Sequence, residues 1–574
     1  MIMKKSKLLY GITFTLLFLY QSNQSVSQPA AVIECDQTDL YTHPRSVSSK
    51  VFNAWISSDR FTKNPDMVEL RSGRLLLVYS DNDAHWSVEN QVLTILASDD
   101  QGKNWRLFSK VDSADMRQGD ERLVTPRLSY LSDGRLVVLC DHDDFSYFHY
   151  EQGSGIDAWW SEDGGKTWSQ PQRTGILGFE PDRMIELPDG TLAVGSHIMN
   201  SESQEYEEII SVSADGGKTW NKRATVAHDG YHFFCEGAMV LLNDGKELAC
   251  IMRENHSAGI PSFVAFSQDN GRTWSDPQPC PFALHRPYAK QLNDGRVLVT
   301  GRNMNGGLGS YAWVGDMKEE AGTIVPGGPR MQHEVALSDD ALVITNGPER
   351  EARYTLLPPE SSKSEILFEV EMKVEGAADS AVAFMSVSKL RGPRPLVLYV
   401  YPNRISLGSE QVDFSKPIDM TNYRTVTLTH KQGLFRVLVD GKVMINAPIS
   451  REENRIGEFN NTGDVSRRTQ FGQYGNSGKS YWRQMNYRVT NISQPDYHWQ
   501  WTAENGEYPN QYERDRLIQI HANHPEQQPR PDHGYSSWIQ QEDGTVFLVD
   551  YTNCGDVPEK SHLVGVYLTL EDIN

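Results

Sequence analysis

SEDGGKTW, residues Ser161–Trp168, returns as SADGGKTW at Ser213–Trp220 and as SQDNGRTW at Ser267–Trp274, with a looser copy, SDDQGKNW, at Ser98–Trp105. Each copy joins an acidic residue and glycine, which a tight turn between strands needs, to a tryptophan that packs beneath the turn. The copies start 63, 52 and 54 residues apart. A period near 50 marks a repeat architecture and points to the blades of a propeller.

A second repeat counts the units. A strand-like run ends in a polar turn with glycine and resumes as an apolar run in NPDMVELRSGRLLLVYSD from Asn64, TPRLSYLSDGRLVVLCDH from Thr125 and EPDRMIELPDGTLAVGSH from Glu180. It does so again in EGAMVLLNDGKELACIMR from Glu236, RPYAKQLNDGRVLVTGR from Arg286 and GYSSWIQQEDGTVFLVDY from Gly534. Asp-Gly and Ser-Gly between β-prone runs are hairpin signals. The turn glycines, Gly73, Gly134, Gly190, Gly245, Gly295 and Gly544, step by 61, 56, 55, 50 and then 249 residues. The expectation is an all-β chain: a six-bladed β-propeller with a long insertion between its fifth and sixth blades.

The insertion, 323–494, alternates polar and apolar residues at Ile366–Val374 and Tyr423–Thr429, and FRVLVDGKVMINAP at Phe435–Pro448 turns at Asp440-Gly441. That pattern reads as an antiparallel sandwich. No aromatic platform stands out in it, so bracing the propeller is the preferred role over sugar binding. The domains expected are a signal peptide at 1–27, blades one to five at 45–322, the inserted sandwich at 323–494, and the sixth blade with closure at 495–574.

Lys4, Lys5 and Lys7 precede an apolar run from Leu8 to Tyr20, and Ser25-Val26-Ser27 offers a small-x-small cleavage site. This predicts export to the periplasm or the outside, with no stable membrane anchor. The six cysteines, at 35, 140, 235, 250, 280 and 554, form no C-x-x-C pair, which argues against a zinc ribbon or a disulfide-built miniature fold. A net charge of −21 repels nucleic acid and acidic membranes. It also disfavours acidic glycans at long range, so binding of an anionic sugar must rest on a local cluster of arginines. No cofactor or metal site is called for; the surplus of carboxylates leaves room for a structural calcium, without a recognisable ligand spacing.

In a propeller the starts of first strands and the ends of second strands meet at one mouth. Here the starts give Asn64, Asp66, Arg127, Asp182, Arg183, Glu236, Arg286, Tyr288, His533 and Tyr535, and the ends give Asp81, Asp83, His85, His142, His197, Arg253, Arg302, Asp550 and Tyr551. Arginines, histidines and carboxylates in one mouth make a dense titratable set. Arg253 and Arg302 have the guanidinium geometry to clamp a carboxylate.

The S-x-D-x-G-x-T-W string is similar to the Asp box of sialidases and other neuraminidase-like (BNR-repeat) propellers, where it closes the turn between a blade's third and fourth strands, away from the active site. The insertion resembles the concanavalin-like jelly rolls that accompany several sialidases. Gly534-Tyr535-Ser536 resembles the sialidase nucleophile motif and Glu236 matches the glutamate paired with that tyrosine. Arg253 and Arg302 match two of the three arginines that hold the sialic acid carboxylate. The resemblance breaks in the first blade. Asn64-Pro65 stands where the third arginine is expected, with Arg60 nearby but out of register, and the acid/base aspartate has only a loose counterpart in Asp83.

Three functions follow. The first is β-elimination on a uronate of an anionic oligosaccharide, by a lyase or dehydratase. Tyr535 and a histidine (His533, His142 or His197) would serve as acid and base, with Arg253, Arg302, Arg286, Arg127, Arg183 and His85 at the substrate. The second is a sialidase-like retaining glycosidase with Tyr535 as nucleophile, Glu236 activating it and Asp83 as acid/base. The third is a non-catalytic glycan-binding propeller. The altered first blade and the histidines rank elimination first.

Overall fold

The computed structural model describes residues 43–57, 60–143, 155–199, 206–255, 260–305, 309–329, 334–338, 340–346, 352–360, 363–387, 396–409, 412–448, 469–473, 478–492, 494–522, 532–554 and 560–574. The expected signal peptide and Cys35 lie outside these residues. Among the described residues no helix is long and apolar enough to cross a membrane.

Six antiparallel sheets of four strands each account for most of the chain outside the insertion. The first holds Phe61–Glu69, Leu75–Asn82, Asn90–Ser98 and Arg106–Asp115; the second Arg122–Tyr130, Leu136–Asp143, Ile156–Ser161 and Gln172–Arg173. The third holds Ile185–Glu186, Leu192–Met199, Tyr206–Ser213 and Asn221–Ala227; the fourth Phe234–Leu242, Glu247–Glu254, Phe263–Ser267 and Gln278–Pro279. The fifth sheet runs Leu284–Gln291, Val297–Asn303, Gly309–Gly315 and then Leu517–Ala522. The sixth runs Ser537–Gln540, Val546–Thr552, His562–Leu568 and takes its last strand, Phe52–Trp55, from the other end of the chain.

Second strands such as LVVLC and VFLV are continuously apolar because both faces of each sheet are covered, and alternate side chains serve different neighbours. Leu136 and Val138 face Leu76 and Ile95 of the first sheet. Val137 and Leu139, between them in sequence, face Met184 and Val194 of the third. Ala193 and Ile210 then meet Met239 and Cys250 of the fourth, and Val240 and Ile251 meet Leu284 and Val299 of the fifth. Leu298 and Ile520 meet Trp538 and Leu548 of the sixth. Phe547 and Val549 close the sequence against Met67, Leu77 and Tyr79 of the first.

The inner strands are joined by side chains that accept neighbouring backbone N–H groups. Asp66 takes Leu128 at 2.9 Å, Ser129 takes Met184 at 2.9 Å, Asp182 takes Met239 at 2.7 Å and Ser537 takes Met67 at 3.0 Å. Two arginines reach further. Arg183 donates to Ala289 O at 2.8 Å and Arg286 to Pro181 O at 2.6 Å, so the third and fifth sheets touch past the fourth.

The four SxDxGxxW turns all follow third strands. Asp163 Oδ1 accepts the Lys166 and Thr167 N–H groups at 3.0 Å each, and Oδ2 accepts the Thr167 hydroxyl at 2.7 Å. The same bonds recur at Asp215 and Asp269. The second glycine of the box adopts a positive φ and lets the turn lie on the preceding sheet: a Cβ on Gly217 would stand 2.7 Å from Trp160.

The insertion differs from its expected position. It lies inside the fifth sheet, between that sheet's third and fourth strands, and not between the fifth and sixth sheets. Of the segment read as sixth blade and closure, Tyr497–Thr502 pairs with the insertion and Leu517–Ala522 completes the fifth sheet. The sequence misled because no box follows the third strand of the fifth sheet, so nothing marked a fourth strand still to come. The insertion itself forms a sheet of eight strands and one of six. Phe368, Trp482 and Tyr487 of the larger share one core with Tyr354, Leu398 and Phe471 of the smaller. The hairpin at Asp440-Gly441 has both residues at positive φ, as its sequence predicts. A narrow crevice lies where the insertion meets the fifth sheet, lined by Phe282, Asn303, Ile324, Leu356 and Glu513.

Candidate active site

The first strands enter through a shared backbone distortion. The ladder slips between Lys63 and Asp66, Val124 and Arg127, Cys235 and Ala238, and His285 and Tyr288. Asn64, Thr125 and Glu236 sit in these bulges at φ 54°, 51° and 51°, and Glu180 holds the matching place in the third sheet at φ 50°. Left-handed backbone is uncommon for such residues and re-aims a side chain beside the strand end. Gly237 follows Glu236 because a Cβ there would stand 2.6 Å from Glu208 Oε1 and 2.7 Å from Cys250 Sγ.

Glu236 is the hub. Its Oε1 accepts Arg253 Nη1 at 2.7 Å and the Tyr535 hydroxyl at 3.3 Å. Its backbone N–H donates to His197 Nδ1 at 3.3 Å. Burial pushes the Glu236 carboxyl up, but the charges of Arg253 and Arg286 and a hydrogen bond from Glu180 outweigh it and hold the group ionised. Glu180 moves the other way: burial and the Glu236 charge raise it well above the usual carboxylate range. The pair is thus driven apart, Glu180 toward its protonated form and Glu236 toward its ionised one. The Tyr535 phenol is raised by burial and by Glu236 and Glu180, so it rests protonated.

A second group adjoins the first. Arg302 lies over the Tyr535 ring at 5.9 Å and donates through Nε and Nη2 to His533 O at 2.9 and 2.6 Å. It also approaches Asp532 at 3.7 Å. Asp532 accepts the Tyr551 hydroxyl at 2.6 Å and bonds His85 Nδ1. The Tyr551 and Tyr535 rings are 6.4 Å apart. Gly534 is required here: at φ +91°, any Cβ would lie 2.7 to 2.9 Å from Arg302 Cβ, Cα and N.

Of the residues expected at the mouth, the structure brings together Glu236, Arg253, Arg302, Tyr535, Tyr551 and His85. The other histidines are held by structural partners. His533 turns its ring inward, 2 % exposed, to Ser310 at 3.2 Å and His521. His197 packs at 4.0 Å on Phe179, and burial lowers it to about 3, so it is a neutral prop for Glu236. His142 pairs with Glu121 and Asp157 of its own sheet at 3.1 Å each. Asp83 closes its own loop, taking Ser87 Oγ and the N–H groups of Val88, Glu89 and Asn90. Burial raises Asp83, and these bonds overcome that and lower it, the wrong direction for an acid. Arg127, Arg183 and Arg286 are all buried, and the last two brace backbone carbonyls. Arg60 is tied to Asp81 at 3.0 Å and to Asn90 at 2.6 Å.

Glu180 and Asp532 escaped the sequence reading. A signal for Glu180 was present: it lies ten residues before Gly190, as Glu236 lies nine before Gly245. Nothing in the sequence marks Asp532, whose place depends on a loop of the first sheet meeting the sixth.

Residues 111–354 match the family model described as a BNR repeat-like domain. The sialidase of Micromonospora viridifaciens is 24% identical over 238 residues, 34% of this chain and 35% of that protein, so the match spans about a third of each. A Dyadobacter fermentans protein of unknown function is similar in structure at TM-score 0.41 and 16% identity, covering 54% of this chain and 94% of its own. A Hadza microbial sialidase gives 0.38 and 16%, covering 46% and 58%. With its four boxes and its repeated sheets, the chain resembles the sialidase-like BNR-repeat proteins, from which its sequence diverges.

Proposed function

We propose that the six sheets are the blades of a sialidase-like β-propeller, with a lectin-like sandwich inserted in the fifth blade, and that the chain is an exported retaining glycosidase. The reading rests on one observation: the Tyr535 hydroxyl and Arg253 share one oxygen of Glu236. A phenol that rests protonated is a poor nucleophile until a base takes its proton at the moment of attack. Glu236, held ionised, is that base. Tyr535 Oη attacks the anomeric carbon, its proton passes to Glu236 Oε1, and the aglycone oxygen leaves with a proton from an acid. Water then cleaves the glycosyl-tyrosine and the proton returns from Glu236. Arg302 over the Tyr535 ring favours an acidic terminal sugar of a glycan.

Elimination on a uronate is the second reading. It is weakened because its three candidate histidines are engaged elsewhere: His533 with Ser310, His142 with Glu121 and Asp157, and His197 with the Glu236 N–H. Release of fluorophore from a 4-methylumbelliferyl α-sialoside is expected, without a new ultraviolet band from uronate oligosaccharides, and Tyr535→Phe should abolish it. An ultraviolet band with no fluorophore would reverse the assignment.

A further inference from the structure

We propose that His85, oriented by Asp532, is the acid/base of this site in place of Asp83. The inference rests on the glycosidase reading above and names the residue that reading lacks.

Asp83 occupies the expected loop, yet its carboxylate is used by Ser87 and three loop N–H groups. His85, two residues on, is built differently. Its Nδ1 is bonded by Asp532, which also takes Tyr551 and lies near Arg302, so the ring is fixed to the group beside Tyr535. Among the described residues nothing bonds Nε2, and the side chain is 43% exposed. A carboxylate on Nδ1 holds the ring orientation and stabilises the imidazolium, which leaves Nε2–H to serve as donor. Phe61 packs on one side of the ring at 5.9 Å, and Trp86, itself 45% exposed, packs at 5.1 Å. Lys63 and Arg122 lie 5.0 and 4.9 Å from the Trp86 ring. An exposed indole flanked by cations gives the aglycone a surface beside the proton donor.

Protonated His85 gives its Nε2 proton to the aglycone oxygen as the glycosidic bond breaks and the Tyr535–sugar bond forms. Neutral His85 then takes a proton from the water that attacks the glycosyl-tyrosine. One proton leaves and one returns.

Leaving-group dependence tests this without ambiguity. The full chain and its His85→Asn and Asp532→Asn variants would be assayed on a 4-nitrophenyl glycoside, whose aglycone needs little protonation, and on the matching alkyl or disaccharide glycoside. Loss of about 100-fold or more on the alkyl glycoside, with less than about tenfold on the nitrophenyl one, is expected for His85→Asn. Equal losses on both substrates, or none, would overturn the assignment while leaving Tyr535 and Glu236 in place. A wild-type chain inert on every glycoside would instead refute the glycosidase reading. Unchanged thermal unfolding of both variants separates chemistry from folding.

Discussion

Replacing Glu513 by glutamine should flatten the pH dependence of stability. Glu513 stands in the short helix Gln511–Arg516 where the insertion rejoins the fifth sheet, and is 3% exposed. Its Oε2 accepts the Gly328 N–H at 2.8 Å and Asn510 Nδ2 at 3.1 Å, and its Oε1 accepts Asn303 Nδ2 at 3.4 Å. Burial, only partly offset by Gly328, Asn303 and Arg514, pushes the carboxyl up from 4.5 to about 7. The folded form therefore holds the proton more tightly than the unfolded chain. Stability that is full below pH 4.5 is lost as pH rises through about 7, by about 3 kcal/mol. His43, bonded to Glu513 O and lowered by burial to about 4, acts in the opposite sense: its contribution grows as pH rises from about 4 to 6.5. The wild-type profile mixes the two, so the difference between wild type and variant is the readout. Denaturant unfolding at several pH values between 4.5 and 7.5 should show Glu513→Gln gaining about 3 kcal/mol on wild type across that window. Glutamine keeps an acceptor for Gly328, so any constant offset is immaterial. Two parallel profiles would refute the reasoning.

Arg253→Met leaves Glu236 buried beside Glu180 with its main cation removed, so stability should fall by about 3–5 kcal/mol in denaturant unfolding. The acidic limb of the activity profile should also move to higher pH, because Glu236 then takes up a proton more readily. Glu180→Gln removes the carboxyl that burial and the Glu236 charge keep protonated; a protonated-carboxyl infrared band at neutral pH should appear in the wild-type-minus-variant difference spectrum. Gly534→Ala puts a Cβ against Arg302 at positive φ, and should cost about 1–2 kcal/mol in thermal unfolding together with activity. Asp163→Asn should cost about 1 kcal/mol at pH 7 and less in acid. Hydrogen bonds from Thr167 lower that carboxyl to about 2, so what it contributes is present above pH 3.8 and lost as pH falls through about 2.

The scaffold was legible because it is written several times over. The Asp-Gly turns and the boxes each recur, and each copy corrects the reading of the others; the turn glycines at 73, 134, 190, 245, 295 and 544 all have positive φ. The place of the insertion was misread because it replaces the one connection, third strand to fourth, that would have carried a box in the fifth sheet. The site was legible where chemistry follows local sequence, as in Tyr535 after Gly534 or Glu236 before Gly237. It was illegible where orientation decides. His533 and Tyr535 are two residues apart, yet the positive φ of Gly534 between them sends one ring to the core and the other to Glu236. Arg286 and Arg302 differ in the same way, one bracing Pro181 and the other lying over Tyr535.

Repetition also explains why the chemistry is one-sided. The six first strands present equivalent positions, filled by Asn64, Thr125, Glu180, Glu236, Arg286 and Gly534. Asn64 and Thr125 are uncharged, so the first two sheets add no charge at this level. Glu180, Glu236 and Arg286 follow in the third, fourth and fifth, and Gly534 leaves room for Arg302 to lie over Tyr535. The backbone distortion is thus a property of the fold, and the same strain carries a neutral amide in one sheet and a buried carboxylate in another. The first sheet, uncharged at this position, is also the one from which the His85 loop crosses to Asp532. The proposed proton donor thus enters from the first sheet and the proposed base from the fourth, as two separate groups, which double displacement at a sugar carbon requires.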